Sequence, residues 1–390
     1  MYHYMMSRAS EASLRLAYYA VCYVLIAMPL SMIVFQTFLA RSSIRRKLLT
    51  YYSSAIKPLQ SASDSAQLVF WLGMTGLAFL ATAYVYITIR SVPFLALISG
   101  SDAHASLRQA AASGFGGNVY VRNFLALILS QLTSYVAFGY ALMKRSSLYK
   151  AWFALTFVIA AMAVTYSGEK APLLNYLVGL LLILGIVKGG FKKRYLFAIG
   201  LVAIGFITAI YAALGNLNFA FNSGPVGRIL MTQIAGLALY FDYFPSIDEF
   251  LRGASFPGWI SSLFGLEHIR PARLVMIHAN PVAVAEGRAG VMNTLFIGEA
   301  WANFGWFGFF VAPIVVGFVV QFVHNLFLSL PKAPIYVGAM IYFMLQIPIT
   351  GGFVDFIWNS GWFFLSLLLS SSLFTRPVLM GAKRSSLSRN

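Results

Sequence analysis

Phe304-Gly-Trp-Phe-Gly-Phe-Phe-Val-Ala-Pro313-Ile-Val-Val-Gly-Phe-Val-Val-Gln321-Phe-Val-His324-Asn-Leu-Phe-Leu328 carries no Asp, Glu, Lys or Arg. A helix needs about 20 largely apolar residues to cross the ~30 Å hydrocarbon core of a bilayer. This stretch is long enough. Eight further runs qualify or nearly do, at 16–39, 68–89, 124–143, 151–166, 172–187, 195–214, 333–349 and 353–374. The run 229–241 is shorter and reads as a re-entrant or interfacial helix. The fold class expected is therefore all-α: a polytopic integral membrane protein with about nine transmembrane helices. A single transmembrane domain covers 1–375, with external loops at 90–123 and 215–303. The larger loop carries short helices, and a basic cytoplasmic tail follows at 376–390.

Composition agrees. Of 390 residues 59% are hydrophobic and only 10% are charged, whereas soluble domains carry about 25% charged residues. Mean hydropathy is +0.77. A nucleic-acid partner would explain a net charge of +17, but not 34 Phe, 21 Tyr and 7 Trp gathered in apolar runs. The single cysteine, Cys22, excludes a disulfide framework and a Cys-based zinc site. The run 16–39 is too long for a signal-peptide core and lacks a small-x-small cleavage pattern, so it reads as a retained helix.

Orientation follows from where Lys and Arg sit, because cytoplasmic connections carry their excess. Segments 40–67, 144–150, 188–194, 329–332 and the tail hold 17 positives against one acid, Asp64. Those segments sum to +16, and the rest of the chain holds only +1. Nine spans then put the C-terminus in the cytoplasm and the N-terminus outside. Loop 215–303 is the one external region long enough to build a site.

Soluble-enzyme motifs are absent. There is no P-loop, no dinucleotide fingerprint and no metal-ligand spacing, so neither metal nor cofactor is expected. Arginine is the remaining signal. Arg228, Arg252, Arg270, Arg273 and Arg288 lie in the large loop. A guanidinium binds phosphate through a planar fork and stays charged at any relevant pH. The five suit a lipid diphosphate at the outer surface, although each alone is also read as a headgroup-facing charge. Glu169-Lys170 is read either as a functional intramembrane pair or as a plain external turn, with Pro172 starting the next helix. His278 is a candidate proton acceptor from a sugar hydroxyl. Glu299 sits in an apolar stretch, either as a general base of raised pKa or as a partner for an arginine. Asp242 is expected to pair with Arg228 or Arg252, and Asp355 to be structural. Trp259, Trp301, Trp306, Trp358 and Trp362 read as membrane-belt anchors, with sugar stacking a second role for Trp259 or Trp301.

Asn293-Thr-Leu-Phe-Ile-Gly298-Glu299-Ala-Trp-Ala-Asn303-Phe304-Gly305-Trp-Phe-Gly308 resembles the segment that Wzy-type polymerases of O-antigen and oligosaccharide repeat units carry before a late transmembrane helix. Three other segments are similar in order and location. One is Leu107-Arg108 through Gly114-Phe115-x-Gly117. Another is Ser167-Gly168-Glu169-Lys170, where the basic residue is Lys rather than an Arg fork. The third is Arg228 followed by Tyr240-Phe241-Asp242-Tyr243-Phe244-Pro245 and Gly253.

The resemblance implies a glycosyltransferase of the bacterial inner membrane, active on the periplasmic face. It would transfer a glycan from undecaprenyl diphosphate to a lipid-linked acceptor sugar, without metal or nucleotide sugar. Its partners would be undecaprenyl-diphosphate-linked oligosaccharides, the bilayer and a chain-length regulator protein, with no nucleic acid. Arg228, Arg252, Arg270, Arg273, Arg288 and Lys170 would hold donor diphosphate and glycan, with Trp259 on a sugar. Arg108 would hold the second lipid's diphosphate, and His278 or Glu299 would activate the acceptor hydroxyl. The related O-antigen ligases share the architecture and use a lipid A-core acceptor instead. A flippase is the alternative of a different class, but nearly charge-free spans and the lack of a visible inverted repeat argue against it.

Overall fold

The computed structural model describes residues 6–39, 63–89, 114–144, 146–189, 232–286 and 289–374, with isolated positions among 50–56, 92–111 and 193–208. All regular structure among them is helical. Chain order gives α1 (Glu11–Leu39), α2 (Ser63–Thr88), α3 (Val121–Lys144), α4 (Ser147–Thr165), α5 (Lys170–Val187) and α6 (Thr232–Tyr243). Then follow α7 (Gly258–Ser261), α8 (Pro271–Ala279), α9 (Pro281–Ala285), α10 (Phe296–Ser329), α11 (Pro334–Leu345), α12 (Val354–Ile357) and α13 (Ser360–Phe374). Five helices, α1 to α4 and α10, are long and apolar enough to cross a membrane. The expected span 195–214 and the tail lie outside the described residues, apart from isolated positions in the former.

Helix boundaries follow local chemistry. The run expected at 333–349 stops at Leu345, because Pro348 biases the residue before it away from helix. The run expected at 353–374 splits into α12 and α13. There Trp358 is extended, and the Asn359 side chain accepts from the N–H groups of Gly361 (2.9 Å) and Trp362 (3.1 Å) as an N-cap. α4 begins four residues earlier than hydropathy places it, at Ser147, directly after the extended Ser146.

Apolar side chains gain nothing by leaving lipid for a protein neighbour, so helices there associate through close packing and buried hydrogen bonds. One group surrounds α3, which is buried along most of its length. Ser134 and Tyr176 share a 2.6 Å hydroxyl bond, and Trp152 Nε1 donates to Thr75 Oγ1 at 3.0 Å. The second group joins α1, α6 and α10 with the loop helices. Here α1 and α10 approach so closely that a Cβ on Gly317 would lie 2.6 Å from the Met28 carbonyl.

The described part of the run 229–241 lies in α6, with Ala235–Phe241 entirely buried between α1 and α10. Asp242, at its end, does not pair with Arg252. Its Oδ1 accepts from Ser10 N (3.2 Å) and Ser13 Oγ (3.1 Å), the first turn of α1, where free N–H groups and the helix dipole favour an anion. Arg252 instead meets Glu249 at 3.5 Å, fully in solvent.

α10 is broken. Gly305 adopts φ 57°, ψ −135°, a conformation closed to side-chain-bearing residues. Thirty-four unbroken residues would exceed the bilayer core by some 20 Å. The break divides the helix into an apolar part long enough to cross a membrane, 306–329, and a segment, 296–304, that packs among the loop elements.

Candidate functional site: a cavity around Glu299

The site grows out of the break at Gly305. A helix end leaves carbonyls without their usual donors. The Ala302 and Asn303 carbonyls take Leu251 N (2.8 Å) and Arg252 N (3.0 Å), which draws loop 251–255 against the helix. Asn303, fully buried, completes the attachment. Its Oδ1 accepts from Gly253 N (3.1 Å) and Ser255 N (3.5 Å), and its Nδ2 donates to Ser255 Oγ (2.7 Å) and the Glu299 carbonyl (2.9 Å). This hold fixes the left-handed turn of Arg252 (φ 50°) and Gly253 (φ 102°).

Glu299 stands one helical turn before Asn303, on the same face. Its carboxylate is buried and accepts from Val354 N at 2.9 Å and from the Ser255 hydroxyl. Gly352 is a required glycine, because a Cβ there would overlap Glu299 Oε2. Burial pushes the Glu299 carboxyl up to about 7, with a further push from the Asp355 charge. The Val354, Ser255 and Phe353 hydrogen bonds oppose that rise. Of its two expected roles the arginine pairing does not occur among the described residues, where the carboxylate meets Val354 N and the Ser255 hydroxyl instead.

Glu299 forms one wall of a cavity of about 360 Å³. Loop 347–352 closes another side, tied down by Phe296 N donating to the Ile349 carbonyl at 3.0 Å. Arg270, His268, Asp355, Thr294 and Trp358 also line it. His268 Nδ1–H donates to the Phe256 carbonyl at 2.7 Å, which leaves Nε2 as an acceptor. Thr294 Oγ1 is buried with no hydrogen-bond partner.

Of the expected catalytic and substrate-binding residues that are described, the cavity brings together Glu299 and Arg270. His278 is exposed on α8, its ring centroid 5.3 Å from that of Tyr243, and is not part of the wall. Arg273 donates to the carbonyls of Ala289 (3.3 Å) and Gly290 (2.8 Å), bracing the loop that leads to Thr294. Trp259 is exposed and meets Trp358 edge-to-face at 5.0 Å. Trp301 is buried, its Nε1 donating to the Phe244 carbonyl at 2.9 Å, so it offers no face to a sugar. Lys170 starts α5. Arg108, Arg228 and Arg288 lie outside the described residues.

Sequence reading missed Ser255, Thr294 and Asp355 as site members and assigned Trp358 to the membrane belt. The i, i+4 spacing of Glu299 and Asn303 was the available signal. It fixes which residues share a helix face, but not which loops fold against that face.

Among the described residues the regular structure is all helical, with five helices long and apolar enough to cross a membrane and a polar cavity beside a broken helix. No family model, no curated protein and no solved structure matches it.

Proposed function

We propose that the chain is a membrane glycosyltransferase that polymerises lipid-linked oligosaccharide repeat units on the periplasmic side of the bacterial inner membrane. The observation that carries this reading is the buried, solvent-shielded carboxylate of Glu299 in one cavity with a guanidinium, Arg270. A general base works best when its pKa lies near the operating pH, and the Glu299 carboxyl is pushed up to about 7. In the reaction the acceptor hydroxyl attacks the anomeric carbon of the donor glycan and Glu299 takes its proton. The bond from that carbon to the diphosphate oxygen breaks, and the electron pair leaves with the lipid diphosphate. Arg270 offsets the charge that develops on the leaving oxygen. The nine-span topology expected from the sequence, with Lys and Arg in the cytoplasm, would put the cavity on the same side as the flipped lipid-linked substrate.

Proteoliposomes loaded with undecaprenyl-diphosphate-linked repeat units test the proposal. The wild-type protein should give a ladder of polymer, and Glu299→Gln should abolish it with thermal stability retained. A folded Glu299→Gln protein that still makes the full ladder would refute the mechanism. Transfer to a lipid A-core acceptor alone would make the enzyme a ligase. Movement of the lipid-linked glycan across the bilayer, with no new glycosidic bond, would make it a transporter.

A further inference from the structure

The cavity wall has a chemistry of its own. Its charged groups are two carboxylates, Glu299 and Asp355, against one guanidinium, Arg270. A diphosphate placed inside would face acid on two sides and a single cation, which is the reverse of a phosphate cradle. The rest of the wall presents neutral hydrogen-bonding groups, apolar residues and two aromatics, Tyr240 and Trp358. Thr294 Oγ1 is buried and unpartnered, and a buried polar atom of that kind costs stability unless a ligand or water completes it. His268 keeps its Nε2 open as an acceptor. Trp358 contributes its indole, buttressed by Phe363 stacked at 6.2 Å and by the edge of Trp259. At about 360 Å³ the space lies at the small end of ligand sites, which run from about 300 to 1,000 Å³. It has room for a sugar residue but not for a lipid-linked repeat unit.

We infer that this cavity is a subsite for an uncharged sugar ring, with Trp358 against the ring's C–H face and Thr294 and His268 on its hydroxyls. The donor's diphosphate stays outside it, on the Arg270 rim. The assignment rests on the transferase reading. It adds that the pocket selects the sugar that brings its hydroxyl to Glu299, and that diphosphate recognition is a separate event.

The test titrates the full chain in lipid nanodiscs, followed by tryptophan fluorescence and saturation-transfer NMR. The probes are glucose, galactose, mannose, rhamnose and N-acetylglucosamine, then inorganic pyrophosphate and geranyl diphosphate. At least one sugar should bind saturably and should not be displaced by pyrophosphate. Its affinity should fall about tenfold or more in Trp358→Ala and in Thr294→Val, and should recover in Trp358→Phe, which keeps an aromatic face. Geranyl diphosphate binding should survive those variants and weaken in Arg270→Ala. Competition between pyrophosphate and the sugar would overturn the assignment. So would the absence of binding by every sugar tested, or unchanged affinity in both Trp358→Ala and Thr294→Val. If sugars bind as described but the proteoliposomes form no glycosidic bond, the transferase reading fails and the subsite stands. If polymer forms while pyrophosphate competes with the sugar, the subsite alone fails.

Discussion

Replacing Gly352 by alanine puts a methyl group where Glu299 holds its carboxylate. The new Cβ would lie 2.9 Å from Glu299 Cδ and 3.2 Å from Oε1, and would overlap Oε2. Gly352 does not have a positive φ, so the perturbation is steric rather than conformational. The carboxylate has to retreat by roughly 0.5–1 Å to restore van der Waals distance. The 2.9 Å bond from Val354 N then stretches beyond hydrogen-bonding range. Overpacking costs about 1–3 kcal/mol, and a hydrogen bond to a charged group is worth about 1.5–3 kcal/mol. The protein should therefore stay folded, with a lower Tm. Polymerisation should fall on the order of 100-fold, because a reacting group misplaced by ~1 Å loses about that much. Gly351→Ala is the control. Its Cβ would meet Asp355 Oδ2 and Pro348 Cβ at 3.0 Å and the Pro348 carbonyl at 3.3 Å before any atom of Glu299, so polymer yield should drop far less. The measurements are ladder formation in proteoliposomes and the carboxyl stretch of Glu299 in infrared titration. Equal polymer yield from Gly352→Ala and wild type, with the Glu299 titration unmoved, would refute the positioning argument.

Protonation of Glu299 sets two pH dependences. If its base form is needed, the polymerisation rate should rise about tenfold per pH unit below about 7 and level off above. For stability the sign is opposite to that of an ion-paired carboxylate, whose pKa falls on folding. Between about 4.5 and about 7 the folded state holds a proton that the unfolded chain has lost, so stability falls as pH rises through that window. The total is roughly 3 kcal/mol, and Glu299→Gln should abolish it in denaturation measured across the range. A wild-type protein whose stability is flat from pH 5 to 7 would contradict the burial of this carboxyl. Asn303→Ala removes four hydrogen bonds and strands the buried Gly253 N–H. A loss of about 2–4 kcal/mol in detergent unfolding is expected, with protease cutting in loop 251–255; a loss under about 0.5 kcal/mol would show that Asn303 does not hold the loop. Gly317→Ala should pry α1 from α10, since its Cβ would overlap Ser31 Oγ and press the Met28 carbonyl. Helix contacts of this kind depend on small residues, so a Tm unchanged from wild type would argue against the close α1–α10 packing.

The helices themselves were legible in the residues. Apolar runs at 16–39, 68–89, 124–143 and 304–328 all returned as helices of spanning length. Lipid imposes one demand on every position, namely no unpaired backbone and few charges, and that demand is local. The interruptions at Pro348 and Asn359 carried local signals too, though hydropathy averaged over them. Glu299 was legible as unusual because a carboxylate in Thr294-Leu-Phe-Ile-Gly-Glu299-Ala-Trp-Ala-Asn303 has no cheap exposed alternative. Its partners were not. Val354 and Ser255 stand 55 and 44 positions away in the chain, and nothing in either neighbourhood marks it for that contact. Asp242 illustrates the same limit: charge alone favoured an arginine, whereas packing of α6 against α1 delivered the first turn of a helix more than 200 residues earlier.

Sequence by itself determined that this chain is helical and apolar enough for a membrane, and that its net charge of +17 is concentrated in a few short connections. Those properties sum over residues and need no knowledge of the fold. Only the tertiary structure decided which charges meet. Gly305 breaks α10, the freed carbonyls capture loop 251–255, and loop 347–352 closes over Glu299. The result joins Glu299 to Arg270, His268 and Asp355 in one cavity, and leaves His278, Arg252 and Trp259 outside it. A site depends on the directions in which a few side chains point, and those are set by the backbone break and by contacts between distant segments.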